Sequence, residues 1–117
     1  MFYQCPAFGQ KISVLQNGVA LGNKWNIFDF IPFSDIRKAV LQPALENAPS
    51  SGGCLKLVTD DNPDLPVRDS HSFHMQGKSE GSKGDDTCFF YNCFHAKHCI
   101  EANAEVEKIK ALIESKI

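Results

Sequence analysis

Apolar and polar residues alternate through most of the chain and change to helical spacing only at its end. Lys11-Ile-Ser-Val-Leu-Gln16 alternates and stops at Asn17-Gly18, the dipeptide best suited to positive φ at both centres of a type I′ turn. Val19-Ala-Leu21 follows, so the pattern predicts a hairpin. Gly22-Asn23 marks a second turn or a bulge. Between Lys24 and Phe33, strict alternation puts Trp25, Ile27, Asp29, Ile31 and Phe33 on one face and Phe28 and Phe30 on the other. Aromatic and β-branched residues at that density predict a strand that is apolar on both sides.

The stretch Ser34-Asp-Ile-Arg-Lys-Ala-Val-Leu-Gln42 supports two readings. One is a helix capped by Ser34 with Ile36, Ala39 and Val40 inside, which local propensity prefers. The other is a bend at Pro32 to Asp35 followed by a strand alternating Ile36, Lys38, Val40 with Arg37, Ala39, Leu41. Glu46 to Gly53 is a loop by composition, and Cys54-Leu-Lys-Leu-Val-Thr59 reads as a half-buried strand. Asp60 to Pro66 is an acidic turn, Ser70 to Met75 a short strand, and Thr87 to Phe94 the last strand. Residues 76–86 are polar and rich in Gly, Ser and Lys, which predicts a mobile loop. At the C-terminus Cys99, Ala102, Val106, Ile109 and Ile113 form a helical stripe widened by Leu112, with Asn103 as an N-cap for the last turns. A helix apolar on one side must dock on something apolar, so it closes the domain.

Strands, a loop, more strands and one terminal amphipathic helix make an α+β, mainly β, domain spanning residues 1–117. That order resembles the pleckstrin-homology-like (PH-like) domains, and most closely the small bacterial PH-like modules. The residues carrying the resemblance are Asn17-Gly18-Val19, Ile31-Pro32-Phe33-Ser34-Asp35-Ile36, Gly53-Cys-Leu-Lys-Leu-Val58 and Val106-Glu-Lys-Ile-Lys-Ala-Leu-Ile113. It implies a curled antiparallel sheet or barrel plugged by the helix, with Ser34 to Leu41 extended, and the strand reading is adopted on that ground. The PH-like domains of some histone chaperones share a similar strand-and-Ile-Pro pattern, but with a basic surface that this chain lacks.

Charge narrows the partners. Twelve Lys plus Arg against fourteen Asp plus Glu give a formal charge of −2, and no segment clusters its bases. Counterion release on a phosphate backbone needs such clusters, which argues against nucleic acid. The first hairpin offers Lys11 and Lys24 around a neutral turn, which argues against phosphoinositide headgroups. No apolar run approaches the roughly 18 residues of a membrane span. The start, Met-Phe-Tyr-Gln-Cys-Pro, lacks the basic flank and apolar core of a secretory signal. With five cysteines, an odd number, the expectation is reduced thiols in the cytoplasm.

The densest chemistry lies in Cys88-Phe-Phe-Tyr-Asn-Cys-Phe-His-Ala-Lys-His-Cys99. Cys88, Cys93, His95, His98 and Cys99 are ligand types suited to zinc, and His71 and His74 could join them. No Cys-x-x-Cys knuckle occurs, however, and strand alternation sends Cys88 and Cys93 to opposite faces. His95 and Cys99, four apart on a helix, would suit a Cys–His nucleophilic pair, yet no orienting acid or oxyanion donor is identifiable. Asp60-Asp-Asn-Pro-Asp64 opens like an EF-hand but has Leu65 at the glycine position and His71 at the closing glutamate. Buried thiols and core aromatics account for most of these residues, with any aromatic left exposed forming a contact patch. The expected function is a non-catalytic binding module that offers a sheet edge or the groove beside its helix to a peptide, a protein partner or a second copy. No catalytic, cofactor-binding or metal-binding residue is assigned. The alternative is a small zinc- or thiol-dependent protein built on Cys88 to Cys99.

Overall fold

Seven strands and one long helix carry these patterns in a computed structural model that describes residues 1–5, 10–23, 27–49, 52–63 and 87–117. Four strands, β1 (Phe2–Gln4), β2 (Gln10–Val14), β3 (Gly18–Asn23) and β4 (Ile27–Pro32), form an antiparallel meander in the order β1-β2-β3-β4. A single 3₁₀ turn, Phe33–Asp35, leads to a second antiparallel sheet of β5 (Lys38–Gln42), β6 (Gly53–Val58) and β7 (Cys88–Tyr91). Helix α1 (Ala96–Glu114) ends the fold. The class is α+β and mainly β, with two separate sheets and no closed barrel among the described residues. The strand expected at Ser70 to Met75 and the loop expected at 76–86 lie outside the described residues.

The β2–β3 hairpin forms, but with a different turn. Val14 pairs with Val19 and the Leu15 amide donates to the Gly18 carbonyl at 2.8 Å, so Gln16 and Asn17 are the central residues. Neither has positive φ, and Gly18 does not either, which rules out the type I′ turn expected at Asn17-Gly18. Gly18 is required by space instead. A Cβ there would strike the Ile31 carbonyl and fall 2.8 Å from the Phe30 ring and 2.9 Å from the Pro32 Cα.

Residues 33–42 divide between the two readings. Pro32 lacks an amide hydrogen and leads into the 3₁₀ turn, and no side chain caps it, Ser34 included. Lys38 onward is extended, each residue paired with β6 from Lys38↔Val58 to Gln42↔Cys54. Helix propensity is a preference of a few tenths of a kcal/mol per residue. A five-residue ladder onto a buried strand outweighs it. Strand β6 itself is buried at all six positions, where alternation had suggested a half-buried strand.

The helix packs as its periodicity predicts. Cys99, Ala102, Val106, Ile109 and Ile113 are its buried residues, and they join Ile12, Val14, Val19, Leu21 and Ile31 of the first sheet and Leu55, Leu57, Phe89 and Tyr91 of the second in one core. Asn103 does not cap a helix that already begins at Ala96. It sits mid-helix, where its Oδ1 accepts from the Ala44 amide (2.9 Å) and the Tyr91 hydroxyl (2.5 Å) and its Nδ2 donates to the Ala44 carbonyl (2.9 Å). One side chain thereby ties α1 to β7 and to the residues after β5.

Candidate functional site

The inner face of the first sheet is consumed by the core, and its outer face is not. Phe2, Ser13, Ala20 and Phe30 lie in one row across the four strands, and Gln4, Lys11, Gly22 and Ile27 in the next. Strict alternation had put Ile27 and Phe30 on opposite faces. A register shift at Leu21/Gly22 restores Ile27 opposite Gly22, so both residues point outward. Strand β4 is therefore an edge strand with exposed apolar side chains rather than one buried on both sides. Phe2, Leu15, Ile27 and Phe30 are 61%, 46%, 70% and 48% exposed, an unusual share of large apolar side chains for one small face.

Between these walls the sheet is hollow, because β3 presents only Gly18, Ala20 and Gly22 outward. The Phe30 ring closes the Gly18 end. A concavity of about 230 Å³ stays open above Ala20 and Gly22, bounded by Lys11, Ser13, Leu15, Asn23 and Ile27. A dry site of ~150 Å³ already holds a benzene ring, so this one has room for a large apolar side chain. Its single ionisable rim residue among the described residues is Lys11, whose ammonium lies 4.7 Å over the Phe2 ring.

A second, shallower groove of about 480 Å³ runs beside the helix, lined by Tyr3, His98, Glu101, Ala102, Ala104 and Glu105. Burial of the half-buried Tyr3 pushes its phenol well above the ordinary range, with Cys5, Cys93, Glu105 and Glu101 adding in that order. Tyr3 is thus a neutral hydrogen-bonding group at physiological pH, and it packs edge-on against Phe89 at 6.1 Å. Glu105 is engaged by Lys108 at 3.3 Å on the helix surface.

The Cys/His segment does not converge. Cys88 joins Cys54 and Phe90 in a separate cluster, whereas Cys93 and Cys99 enter the main core with Cys5. The two faces expected for Cys88 and Cys93 are the ones observed. Cys5 exchanges 3.3 Å contacts with the backbone amide and carbonyl of Asn92, and the Cys99 thiol points to the Leu45 carbonyl at 3.6 Å. Burial pushes the Cys93 thiol far up, helped by its hydrogen bond with Cys99, which leaves a protonated and weakly nucleophilic sulfur.

The two histidines act on the backbone. His95 is the N-cap of α1 and its Nδ1 accepts from the His98 amide at 3.1 Å; the His98 Nδ1 accepts from the Phe94 amide at 3.0 Å. The Nδ1 lone pair of each ring is thus spent on a backbone amide. The His95 Nδ1 faces the His98 amide and the Cys99 thiol faces the Leu45 carbonyl, so each is directed at backbone and not at the other. Among the described residues no group of three His, Cys, Asp or Glu is placed to hold a metal ion. His71 and His74 lie outside those residues. The acidic turn contributes Asp60, which receives a bidentate pair from Arg37 at 3.1 and 2.7 Å. That hydrogen bond and charge lower its carboxyl below the usual range.

No family model, curated protein or solved structure matches this chain. No helix among the described residues is long and apolar enough to cross a membrane. The outer-face residues Phe2, Leu15 and Ala20 were not singled out by sequence reasoning. For Ile27 and Phe30 a signal was present in the turn or bulge expected at Gly22-Asn23, next to the register shift at Leu21/Gly22 that re-aims the later side chains of β4.

Proposed function

We propose that this chain is a non-catalytic, PH-like binding module that works in the reducing cytoplasm and docks a protein partner on the outer face of its first sheet. The observation that carries this reading is the set of four large apolar side chains, Phe2, Leu15, Ile27 and Phe30, left exposed on one face, with Leu15 and Ile27 bordering its hollow. A small domain keeps such a patch open to water at a free-energy cost that binding recovers. The strand order and terminal helix support the PH-like assignment, and five free buried cysteines support a reducing compartment. Phosphoinositide binding is not part of the reading, because the β2–β3 turn, residues 15–18, carries no cation.

Display selection of random peptides on the full chain tests it. Enriched peptides are expected to lose at least ten-fold in affinity for an Ile27→Glu/Phe30→Glu double variant whose thermal unfolding matches the parent. Enriched peptides that bind the double variant unchanged would place recognition elsewhere and overturn the reading.

A further inference from the structure

The shape and charge of the outer face restrict what can lie on it. Strand spacing makes the face about 14 Å wide between the β1 and β4 backbones, and three outward rows make it roughly 15 Å long. That footprint falls well short of the ~800 Å² per partner of a stable dimer of globular surfaces. It matches one α-helix, about 10 Å across, over some three turns. The hollow lies over β3 from Ala20 to Asn23, so a helix seated on it would pass between Leu15 on one side and Ile27 on the other, with Phe2 beyond Lys11 and the Phe30 ring bounding the Gly18 end. One of its large apolar side chains would enter the hollow. The sheet would then be covered by a helix on each face, the layered arrangement that buries both of its apolar sides. Lys11, the rim cation held over Phe2, lies on the β2 side and calls for a carboxylate on the matching flank.

We infer that the docking face takes an acidic amphipathic helix of a partner protein, laid along β3 with one large apolar side chain in the hollow above Ala20 and Gly22 and a carboxylate on Lys11. This rests on the binding-module reading and gives its partner a chemistry. It follows the helix-in-groove mode of recognition, in which apolar anchors at i, i+3 and i+4 supply affinity and flanking charge supplies orientation.

The probes are three labelled 15-residue peptides added to the full chain. The first is a side-chain-stapled helix with a Leu/Phe stripe flanked by Glu, the second the same helix with Lys for Glu, and the third an extended alternating peptide of the same composition as the first. Fluorescence anisotropy gives affinity and amide chemical shifts give the place. The Glu helix is expected to bind best and to shift the amides of Lys11, Ala20, Gly22 and Ile27. Lys11→Glu should weaken it about five-fold, the size of an exposed ion pair, and strengthen the Lys helix. Ile27→Glu, at a 70% exposed site that the fold does not need, should abolish binding with unfolding unchanged. Preference for the Lys helix or the extended peptide at the same amides rejects the acidic helix and leaves the docking face standing. Self-association of the chain that Ile27→Glu reverses assigns the face to a second copy and rejects the partner helix. Failure of all three peptides to move these amides rejects the helix and the docking face together.

Discussion

Asn103 shows how one residue can be read correctly for its chemistry and wrongly for its place. Its side chain offers a carbonyl and an amide, which suit a helix cap, and sequence alone assigns it that role. In the structure both groups are spent on Ala44, with the Tyr91 hydroxyl sharing the carbonyl. Partner identity depends on a contact 59 residues away in sequence, which no local pattern carries. Asn103→Ala strands an amide and a carbonyl of Ala44 that are partly buried, and should cost about 2 to 3 kcal/mol in urea unfolding. Tyr91→Phe removes only the hydroxyl, leaves Asn103 bonded to Ala44, and should cost about 1 kcal/mol. Equal losses from the two would mean that the three groups do not divide the work in this way. Gly18 teaches the same lesson, since its identity is needed, but for the approach of Ile31 and Phe30 rather than for its dihedral angles.

At the scale of elements, legibility followed burial. The α1 stripe was readable because a 3.6-residue period over five buried positions leaves few alternatives, and the helix buries those same five. The first hairpin was readable for a similar reason. Strand β4 was not, because one bulge at Leu21/Gly22 reverses the parity of every position after it, and parity is all that alternation encodes. The start of α1 was also hidden, since histidine is an uncommon cap and its ring reads more readily as a ligand. The caps at His95 and His98 satisfy two amides at the entrance to the helix. His95→Ala should therefore destabilise the domain by about 1 kcal/mol, whereas His95→Asp, which restores an acceptor beside the helix N-terminus, should recover most of it. Thermal unfolding of the parent and both variants under one condition makes the comparison. An aspartate variant as unstable as the alanine variant would deny the cap its role.

Across the whole molecule, the helix joins two sheets that share no ladder of hydrogen bonds among the described strands. What unites them is one apolar cluster containing Ile12 and Val19 from the first sheet, Leu55 and Phe89 from the second, and Val106 and Ile109 from the helix. Burying each large aliphatic side chain contributes about 1.5 to 3 kcal/mol, and a domain keeps only about 5 to 15 kcal/mol in total. Removing the helix from the seam would thus consume most of the stability of the fold. Ile109, 1% exposed, sits within that seam. Ile109→Asp places an unpaired carboxylate there, at a cost of at least about 4 kcal/mol, which lies in the range reserved for buried charges. The expected result is collapse of amide shift dispersion in both sheets together, not in the helix alone, because the inner faces of both sheets share one core cluster with the helix. Glu107→Lys, two residues earlier on the exposed side, should leave the same spectrum intact. If Ile109→Asp melted α1 while the β2–β3 ladder kept its shifts, the first sheet would be a separate folding unit, and the single core would have to be redrawn as two.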